Sequence, residues 1–300
     1  MKWEKKGMLY NVDNKTDWMV SHVANPTPEH LYDDVFRIYF SCRDKNNRSS
    51  ISFIDYDIVK QLVVDEPMVQ VLAPGAPGLF DDAGCSVNSI INTNEGRKYL
   101  YYLGWYLGVS VPFSNYIGLA VWSEETKKFI KYRTTPIMDR TEVDPYSTSY
   151  NSILHINGIY KMWYGSSLTW GNGKKSDMIH VIKYAESQNG INWNTQGHVC
   201  ISGKTEEYAF ARPCVIYEND IYKMWYSYRG SAYRIGYAES SDGLNWTRMD
   251  DKVGIDVSEY GWDSEMIEYP YVFDHKDVRY MLYSGNSFGK TGFGLAVLIR

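Results

Sequence analysis

Short hydrophobic runs rich in aromatic and β-branched residues recur along the chain, and polar turn sequences separate them. The run Ile159–Tyr164 returns almost unchanged as Ile221–Tyr226. Looser copies end at residues 40, 102 and 283, so the five copies are spaced 62, 62, 62 and 57 residues apart. A fixed period of this kind is the signature of a repeat architecture. The pattern predicts five structural units of about sixty residues each.

Each unit contains the same order of short runs. In the fourth unit these are Ala211–Tyr217, Ile221–Tyr226, Tyr233–Ser240 and a run from Trp246 onward, with turn sequences such as Asp242-Gly243 between them. This pattern is typical of four antiparallel strands. A four-stranded sheet cannot bury both of its faces alone, whereas five sheets stacked radially can. We therefore predict an all-β, five-bladed β-propeller that forms a single domain over residues 1–300.

The last unit is one strand short. Its third run, Gly292–Val297, is followed by only three more residues. The N-terminal segment Trp3–Met8 is similar to Trp193–His198, which occupies the fourth-strand position of the third unit. We therefore predict that residues 3–10 complete the last blade and close the ring.

Composition and charge narrow the class of function. Aromatic residues make up 16% of the chain, including 27 Tyr, and such residues suit both strands and sugar-binding surfaces. The formal net charge of −5 with interspersed signs predicts no nucleic-acid partner. The N-terminus has no apolar signal core and no segment approaches ~18 consecutive apolar residues, which predicts a cytoplasmic protein without a membrane partner.

The cysteines and histidines show no metal-binding pattern. The four cysteines form no CxxC pair and the six histidines no HExxH motif, so no metal site and no cofactor are predicted. Oxygen ligands at the centre of the ring would suit a structural Ca²⁺ or Na⁺. Inorganic phosphate would be a co-substrate if the protein were a phosphorylase.

The candidate chemistry lies just before each aromatic run, because the first strand of each blade lines the centre of a propeller. These segments and the loops near them supply polar and aromatic side chains that we predict to bind substrate. They are His22, Asn25, Arg43, Asp44, Asp81, Asp144, Tyr150, Arg212, Arg229 and Glu265. Two tryptophans in glycine-rich loops, Trp105 and Trp170, are candidates for flat sugar-binding faces.

Two segments match the motif of a known family. Asn25-Pro26, followed by Arg43-Asp44 and then Ser49-Ser50-Ile51, looks like the Asn-Pro, Arg and Ser pattern of glycoside hydrolase family 130, the mannoside phosphorylases and hydrolases. Asp81-Asp82 stands where that family has an acidic pair ending in its catalytic Asp. The whole chain resembles the five-bladed β-propeller glycosidases, which also include families 43 and 32. The resemblance implies a carbohydrate substrate and a catalytic Asp82.

The chain also departs from these families. Asn25 stands where family 43 has an Asp before Pro as general base. The acid of that family is a Glu two residues before a Pro, and the fourth unit offers Ala211-Arg212-Pro213 instead. Only the fifth unit offers such a Glu, in Glu268-Tyr269-Pro270. Asp82 is followed by Ala-Gly instead of the Pro-Arg of family 130.

Glycosyl transfer needs an acid on the leaving oxygen and a nucleophile on the opposite face, and two carboxylates ~6.5–9.5 Å apart serve an inverting hydrolase. Asp82 and Glu268 are the predicted catalytic pair. In a phosphorylase, or in a glycosyltransferase that uses a phosphate-activated sugar, Arg43, Arg212, Arg229 and His22 would bind phosphate. Arg212 could instead be the counter-ion of a buried carboxylate. Arg43-Asp44 could instead form a salt bridge within a loop.

Three functions follow from these candidates. The first is an inverting glycoside hydrolase or phosphorylase that acts on a short oligosaccharide. The second is a glycosyltransferase of polysaccharide assembly, and the third is a propeller that binds sugar without catalysis. The sugar, its linkage and the oligomeric state do not follow from the sequence.

Overall fold

A computed structural model describes residues 1–170, 178–204 and 206–299. The strands of the described residues group into five antiparallel sheets of four strands. The first sheet holds β2 (Ser21–Tyr32), β3 (Val35–Arg43), β4 (Ser49–Asp57) and β5 (Leu62–Asp65). The second holds β6 (Gly84–Asn92), β7 (Lys98–Leu107), β8 (Phe113–Ser123) and β9 (Lys128–Lys131). The third holds β10 (Thr148–Ile156), β11 (Ile159–Thr169), β12 (Ile179–Ser187) and β13 (Asn194–Ile201).

The remaining two sheets follow the same plan. The fourth holds β14 (Ala209–Glu218), β15 (Ile221–Arg229), β16 (Tyr233–Ser240) and β17 (Thr247–Arg248). The fifth holds β18 (Glu268–His275), β19 (Val278–Ser284), β20 (Phe293–Leu298) and β1 (Trp3–Tyr10). Outside the strands lie a 3₁₀ turn at Asp250–Lys252 and a single helical turn, α1 (Asn286–Gly289). The predicted all-β class is confirmed.

The sheets are arranged so that their first strands meet. A single parallel pairing, Ser49 with Gly84, joins the first sheet to the second, and every other pairing between the strands described is antiparallel. The strand β2 contacts β6, β6 contacts β10, β10 contacts β14 and β14 contacts β18, which returns to β2. The five first strands therefore surround a common centre. No helix of the described residues is long and apolar enough to cross a membrane.

The N-terminal strand completes the last sheet, as predicted. In β1, Trp3 is paired with Leu298 and Lys5 with Ala296, both in the antiparallel ladder with β20. The Trp3 ring packs edge-on against Trp225 at 6.4 Å, and its Nε1 donates to the Val253 carbonyl at 2.9 Å. Residues from opposite ends of the chain thus share one sheet and one part of the core.

The repeated aromatic residues pack between neighbouring sheets. Trp163 and Tyr101 are completely buried. Trp163 Nε1 donates to the Gly243 carbonyl of the next sheet at 2.7 Å, and Tyr101 Oη donates to the Gly190 carbonyl at 2.7 Å. Both glycines occupy the left-handed region, with φ of 77° and 71°, where a turn favours glycine. The repeat therefore records the packing of each sheet against the next.

The tyrosine that ends four of the five aromatic copies binds an aspartate, which is buried in three cases and half-buried in the case of Asp250. Each aspartate is also paired with a lysine or arginine of its own sheet, so we call the three residues an Asp–Tyr–cation triad. The tyrosine-to-aspartate hydrogen bonds are Tyr102–Asp81 (3.0 Å), Tyr164–Asp144 (2.8 Å), Tyr226–Asp250 (2.5 Å) and Tyr283–Asp263 (3.0 Å). The cations are Lys131 (2.6 Å), Lys183 (3.0 Å), Arg248 (2.6 Å) and Lys5 (2.7 Å). In the first sheet Phe40 takes the place of the tyrosine.

Candidate active site

Each first strand has a bulge at the equivalent level of the ring. The register against the second strand shifts between Ala24 and Thr27, Val87 and Ser89, Ser149 and Asn151, Ala211 and Cys214, and Glu268 and Tyr271. In three of these bulges a residue in the left-handed region precedes a proline, which has no N–H to offer the ladder: Asn25 (φ 57°), Arg212 (φ 52°) and Tyr269 (φ 56°). The bulges redirect these side chains toward their neighbours in the ring.

Serines of the preceding sheet hold three of the bulges in place. The backbone N–H of Asn25 donates to Ser284 Oγ at 3.3 Å, and that of Tyr269 donates to Ser227 Oγ at 2.7 Å. The N–H of Val87 donates to Ser41 Oγ at 2.9 Å. Each serine directly follows the last residue of an aromatic copy. The same repeat that packs the sheets therefore also fixes the backbone at the centre.

Glu268 lies at this level and is completely buried. Among the described residues, neither of its carboxylate oxygens has a hydrogen-bond partner of good geometry. Burial raises the pKa of the Glu268 carboxyl well above its ordinary value, and Arg229, the Phe288 backbone amide and Arg43 oppose this only in part. A buried carboxylate without partners is costly, so burial favours the protonated form of this carboxyl group. Glu268 is therefore a candidate acid.

Three cations approach the Glu268 carboxyl or its neighbour His22. Arg43 and Arg229 act on Glu268, and Arg43 and Lys290 act on His22. Burial, assisted by Arg43 and Lys290, lowers the pKa of His22 to about 4, so its imidazole is neutral at pH 7. The three cations are Arg43, Arg229 and Lys290. Within residues 1–170, 178–204 and 206–299, none of them forms an ion pair with a carboxylate.

Aromatic rings form a wall beside the carboxyl group. The Tyr150 and Tyr269 ring centroids are 5.2 Å apart, and Tyr233 lies 6.3 Å from Tyr269 and 6.1 Å from Phe288. The Arg229 guanidinium lies over the Tyr233 and Phe288 rings at 5.4 and 5.9 Å, and its buried Nε has no hydrogen-bond partner. Phe288 itself has a φ of 62°, which is strained for a bulky residue.

The structure brings together six of the residues that the sequence predicts for the site, namely His22, Asn25, Arg43, Tyr150, Arg229 and Glu268. Three further residues of the cluster, Tyr269, Tyr233 and Phe288, were not predicted. A signal for Tyr269 was present, because Tyr269-Pro270 repeats the pattern of Asn25-Pro26 and Arg212-Pro213. Tyr233 begins β16 and Phe288 lies in α1, and no sequence pattern connects either of them to β18.

Arg212 has neither of the two roles considered for it. Its guanidinium is 1% exposed and donates to the Val87 carbonyl at 2.8 Å, to Thr27 Oγ1 at 2.6 Å and to the Asn25 and Pro26 carbonyls at 3.4 Å. Burial lowers the pKa of Arg212 to about 10. Its partners are three backbone carbonyls and a hydroxyl group, not a carboxylate or an open pocket. Arg212 therefore ties β14 to β2 and β6 at the centre of the ring.

Asp81 and Asp144, predicted to bind substrate, belong to the Asp–Tyr–cation triads instead. Their exposed fractions are each 1%, and their carboxylates are held by Lys131 with Tyr102 and by Lys183 with Tyr164. Their position before an aromatic run is visible in the sequence, but the side chains that surround them are not. Their lysine and tyrosine partners show that these aspartates link strands within their own sheets.

Asp44 takes the alternative role of a loop residue. Its carboxylate accepts the backbone N–H groups of Asn46 and Arg48 at 2.8 and 2.9 Å and pairs with the Arg48 side chain at 3.0 Å. Glu265 is exposed, and its backbone N–H donates to Asn286 Oδ1 at 2.8 Å. Both residues lie outside the cluster around Glu268.

Both tryptophans predicted as sugar-binding faces make contacts within the protein. Trp105 Nε1 donates to Ser49 Oγ at 2.8 Å, which links the first two sheets. Trp170 is buried and packs edge-on against Phe113 at 5.1 Å. The Trp170 ring therefore packs between elements, whereas a sugar-binding role for the half-buried Trp105 stays a prediction.

Asp82 lies apart from Glu268. Its Oδ2 accepts the Gly78 N–H at 2.8 Å, and its carboxylate borders a surface cavity of the second sheet. No contact in the described part of the chain joins it to Glu268, so the catalytic pairing of these two carboxylates stays a prediction. No group of three His, Cys, Asp or Glu side chains that could hold a metal ion occurs among the described residues.

The solved structures that the chain resembles define the class of fold. A BT0996 complex with RGII has a TM-score of 0.78 at 16% identity, and the match covers 99% of this protein and 91% of BT0996. A thermostable family-43 glycoside hydrolase has a TM-score of 0.64 at 16% identity, with 96% of this protein and 90% of the hydrolase covered. The resemblance to the β-propeller glycosidase superfamily is confirmed at the level of the fold.

Closer relatives define the family. The "Uncharacterized protein MT1551" of Mycobacterium tuberculosis (strain CDC 1551 / Oshkosh) is 47% identical over 301 residues, which is 99% of each protein. The "Uncharacterized protein Rv1502" of strain ATCC 25618 / H37Rv is 46% identical over the same length and coverage. The chain belongs to the family of these two mycobacterial proteins. No protein-family model matches it.

Proposed function

We propose that the five sheets are the blades of a five-bladed propeller, and that the protein is a carbohydrate-active enzyme that cleaves or forms a glycosidic bond at Glu268. The fold neighbours named as glycoside hydrolases support this class, and another neighbour is named as a complex with RGII. The cytoplasmic location, the absence of a resident cofactor and the single domain of residues 1–300 stay predictions.

One observation supports the proposal above the others: a fully buried carboxyl group without partners, surrounded by arginines and tyrosines. Structural carboxylates in this protein have partners, as the Asp–Tyr–cation triads show. A protein retains an unpaired buried acid at a cost in stability, and catalytic acids are the common reason for such a cost.

The residues around Glu268 suit a general acid that gives up one proton in each catalytic cycle. Protonated Glu268 donates its proton to the leaving glycosidic oxygen, and the carboxylate that remains is stabilised by Arg229 and Arg43. Tyr150 and Tyr269 offer ring faces and hydroxyl groups to the sugar. Asn25 cannot accept a proton, so the nucleophile on the other face is not activated from that position.

A second candidate function is favoured by the three cations without ion pairs. Arg43, Arg229 and Lys290 would bind inorganic phosphate as the acceptor of a phosphorylase, or the phosphate of an activated sugar donor in a transferase. Phosphorolysis removes the need for a base that activates water, which agrees with the Asn at position 25.

The deciding experiment incubates the protein with short oligosaccharides, with and without inorganic phosphate, and measures sugar and sugar-phosphate products. We expect turnover with one acceptor and a ~10²–10⁴-fold loss of kcat for Glu268→Gln. Glu265→Gln, three residues earlier and exposed, is the matched control and should retain wild-type turnover. Equal turnover by wild type and Glu268→Gln would remove Glu268 from the mechanism.

A further inference from the structure

A cavity opens on the second sheet, at the same edge of the sheets as Glu268. It has a volume of about 600 Å³, within the usual ~300–1,000 Å³ range of ligand sites. Its wall includes Phe80, Tyr106, Tyr116, Asp82, Asp139 and Arg140. Asp82 precedes the first strand of its sheet, and Glu268 begins the first strand of its own sheet. Tyr106 lies near the end of the second strand of its sheet, and Arg229 ends the second strand of the fourth sheet.

The aromatic part of the wall is held rigidly. The Tyr106 and Tyr116 rings are stacked, with centroids 6.3 Å apart and planes 17° from parallel. Arg140 Nε donates to Tyr116 Oη at 2.6 Å, and its second nitrogen donates to Tyr106 Oη at 3.5 Å. Tyr116 Oη donates in turn to the Tyr146 carbonyl at 3.1 Å. Tyr116 is buried behind the partly exposed Tyr106, which presents a supported ring to the cavity.

The polar part of the wall consists of two carboxylates that each keep one oxygen available. Asp82 Oδ2 accepts the Gly78 N–H at 2.8 Å, and Asp139 Oδ1 accepts the Arg140 N–H at 2.7 Å. In the described part of the chain, no hydrogen bond is made to the second oxygen of either group. The Arg140 guanidinium uses its Nε and one terminal nitrogen on the two tyrosine hydroxyls, and the two carboxylates supply charged hydrogen-bond acceptors to the cavity.

We propose that this cavity is a binding subsite for a neutral sugar residue, separate from the Glu268 site. The apolar face of a pyranose ring packs on Tyr106, and its hydroxyl groups donate to Asp82 and Asp139. The two carboxylates outnumber the one guanidinium of the wall, so the cavity disfavours uronates and phosphosugars, which the cations around Glu268 favour. This inference rests on the proposed function only in taking the ligand to be a carbohydrate.

The test measures binding without catalysis. Glu268→Gln protein is titrated with neutral trisaccharides of glucose, mannose or galactose, and amide chemical shifts are recorded by NMR. We expect shifts at residues 78–82 and 136–140, and a ~10-fold weaker Kd at this site when Tyr106→Ala is added, equivalent to about 1.4 kcal/mol. Asp82→Asn, which keeps the acceptor for Gly78, should weaken the Kd by a smaller factor. Tyr32→Ala changes an exposed tyrosine at the opposite sheet edge and is the matched control.

Three results would overturn the subsite. They are no shift at these residues with any of the trisaccharides, an unchanged Kd after Tyr106→Ala in protein with a wild-type melting temperature, and tighter binding of the corresponding uronate. Turnover by the wild-type protein is measured separately. Turnover without chemical-shift changes at the cavity would support the proposed function and contradict the subsite. Chemical-shift changes at the cavity without turnover would support the subsite and contradict the proposed function.

Discussion

Two kinds of buried carboxyl group coexist in this fold, and they differ in their partners more than in their burial. Asp81, Asp144 and Asp263 are each 1% exposed, and Glu268 is 0% exposed. Each aspartate has both a tyrosine hydroxyl and a lysine within hydrogen-bond distance, whereas Glu268 has neither. Burial alone therefore does not mark a functional acid in this protein. The absence of partners separates Glu268 from the aspartates that hold a sheet together.

Substituting a triad aspartate and substituting Glu268 should affect the free energy of unfolding differently, and the larger effect is expected at the triad. Asp144→Asn leaves the buried Lys183 ammonium without its counter-ion, so we expect a loss of about 3–5 kcal/mol in the free energy of unfolding. Glu268→Gln should leave that free energy unchanged or raise it at neutral pH, since it removes a carboxyl group whose ionised form burial disfavours in the folded chain. Urea unfolding of both variants measures the difference. A similar loss in both would show that Glu268 is structural.

A variant control separates the lost ion pair from the lost hydrogen bonds. Adding Lys183→Met to Asp144→Asn removes the unpaired charge, and we expect it to restore part of the lost stability. No recovery would assign the effect to the hydrogen bonds from Tyr164 and Ser166.

A buried histidine extends the comparison to low pH. Burial lowers the pKa of His180 from 6.5 to about 4, and its Nε2 has no hydrogen-bond partner among the residues that the structure describes. Above pH 6.5 the imidazole is neutral in both states, but between pH 6.5 and 4 only the unfolded chain takes up the proton. We expect the free energy of unfolding to fall by about 3 kcal/mol across this window through His180. His180→Gln should flatten the measured dependence, and an unchanged slope would contradict this assignment.

The smallest predicted effect concerns the cation beside the unpaired acid. Arg229 lowers the pKa of Glu268, so Arg229→Gln removes a stabilising charge from the carboxylate and should raise that pKa further. We expect the alkaline limb of the kcat profile to move to higher pH by about one unit. Arg234→Gln, in a partly exposed pair with Asp256, is the control and should leave the profile in place. A shift to lower pH would refute the electrostatic role of Arg229.

The repeat could be predicted from the sequence because each copy is a short, continuous segment. The aromatic copies, their spacing and the N-terminal strand that completes the last sheet all follow from residues close together in sequence, or from similarity between segments. The triads left a signal of the same kind, since Asp81, Asp144 and Asp263 precede their tyrosines by 21, 20 and 20 residues. That nearly constant offset marks a structural repeat and could have separated these aspartates from the candidate site.

Short segments of the sequence were enough to predict the five-unit all-β architecture, its closing strand and the candidacy of Glu268, because period, turn residues and the Glu-Tyr-Pro pattern are local properties. The meeting of distant side chains became visible only in the folded chain. Arg212 reaches the Val87 carbonyl across 125 residues, and Tyr233 and Phe288 approach Glu268 from separate elements. Partners of this kind are fixed by the arrangement of five sheets around one centre, a relation that no local pattern records.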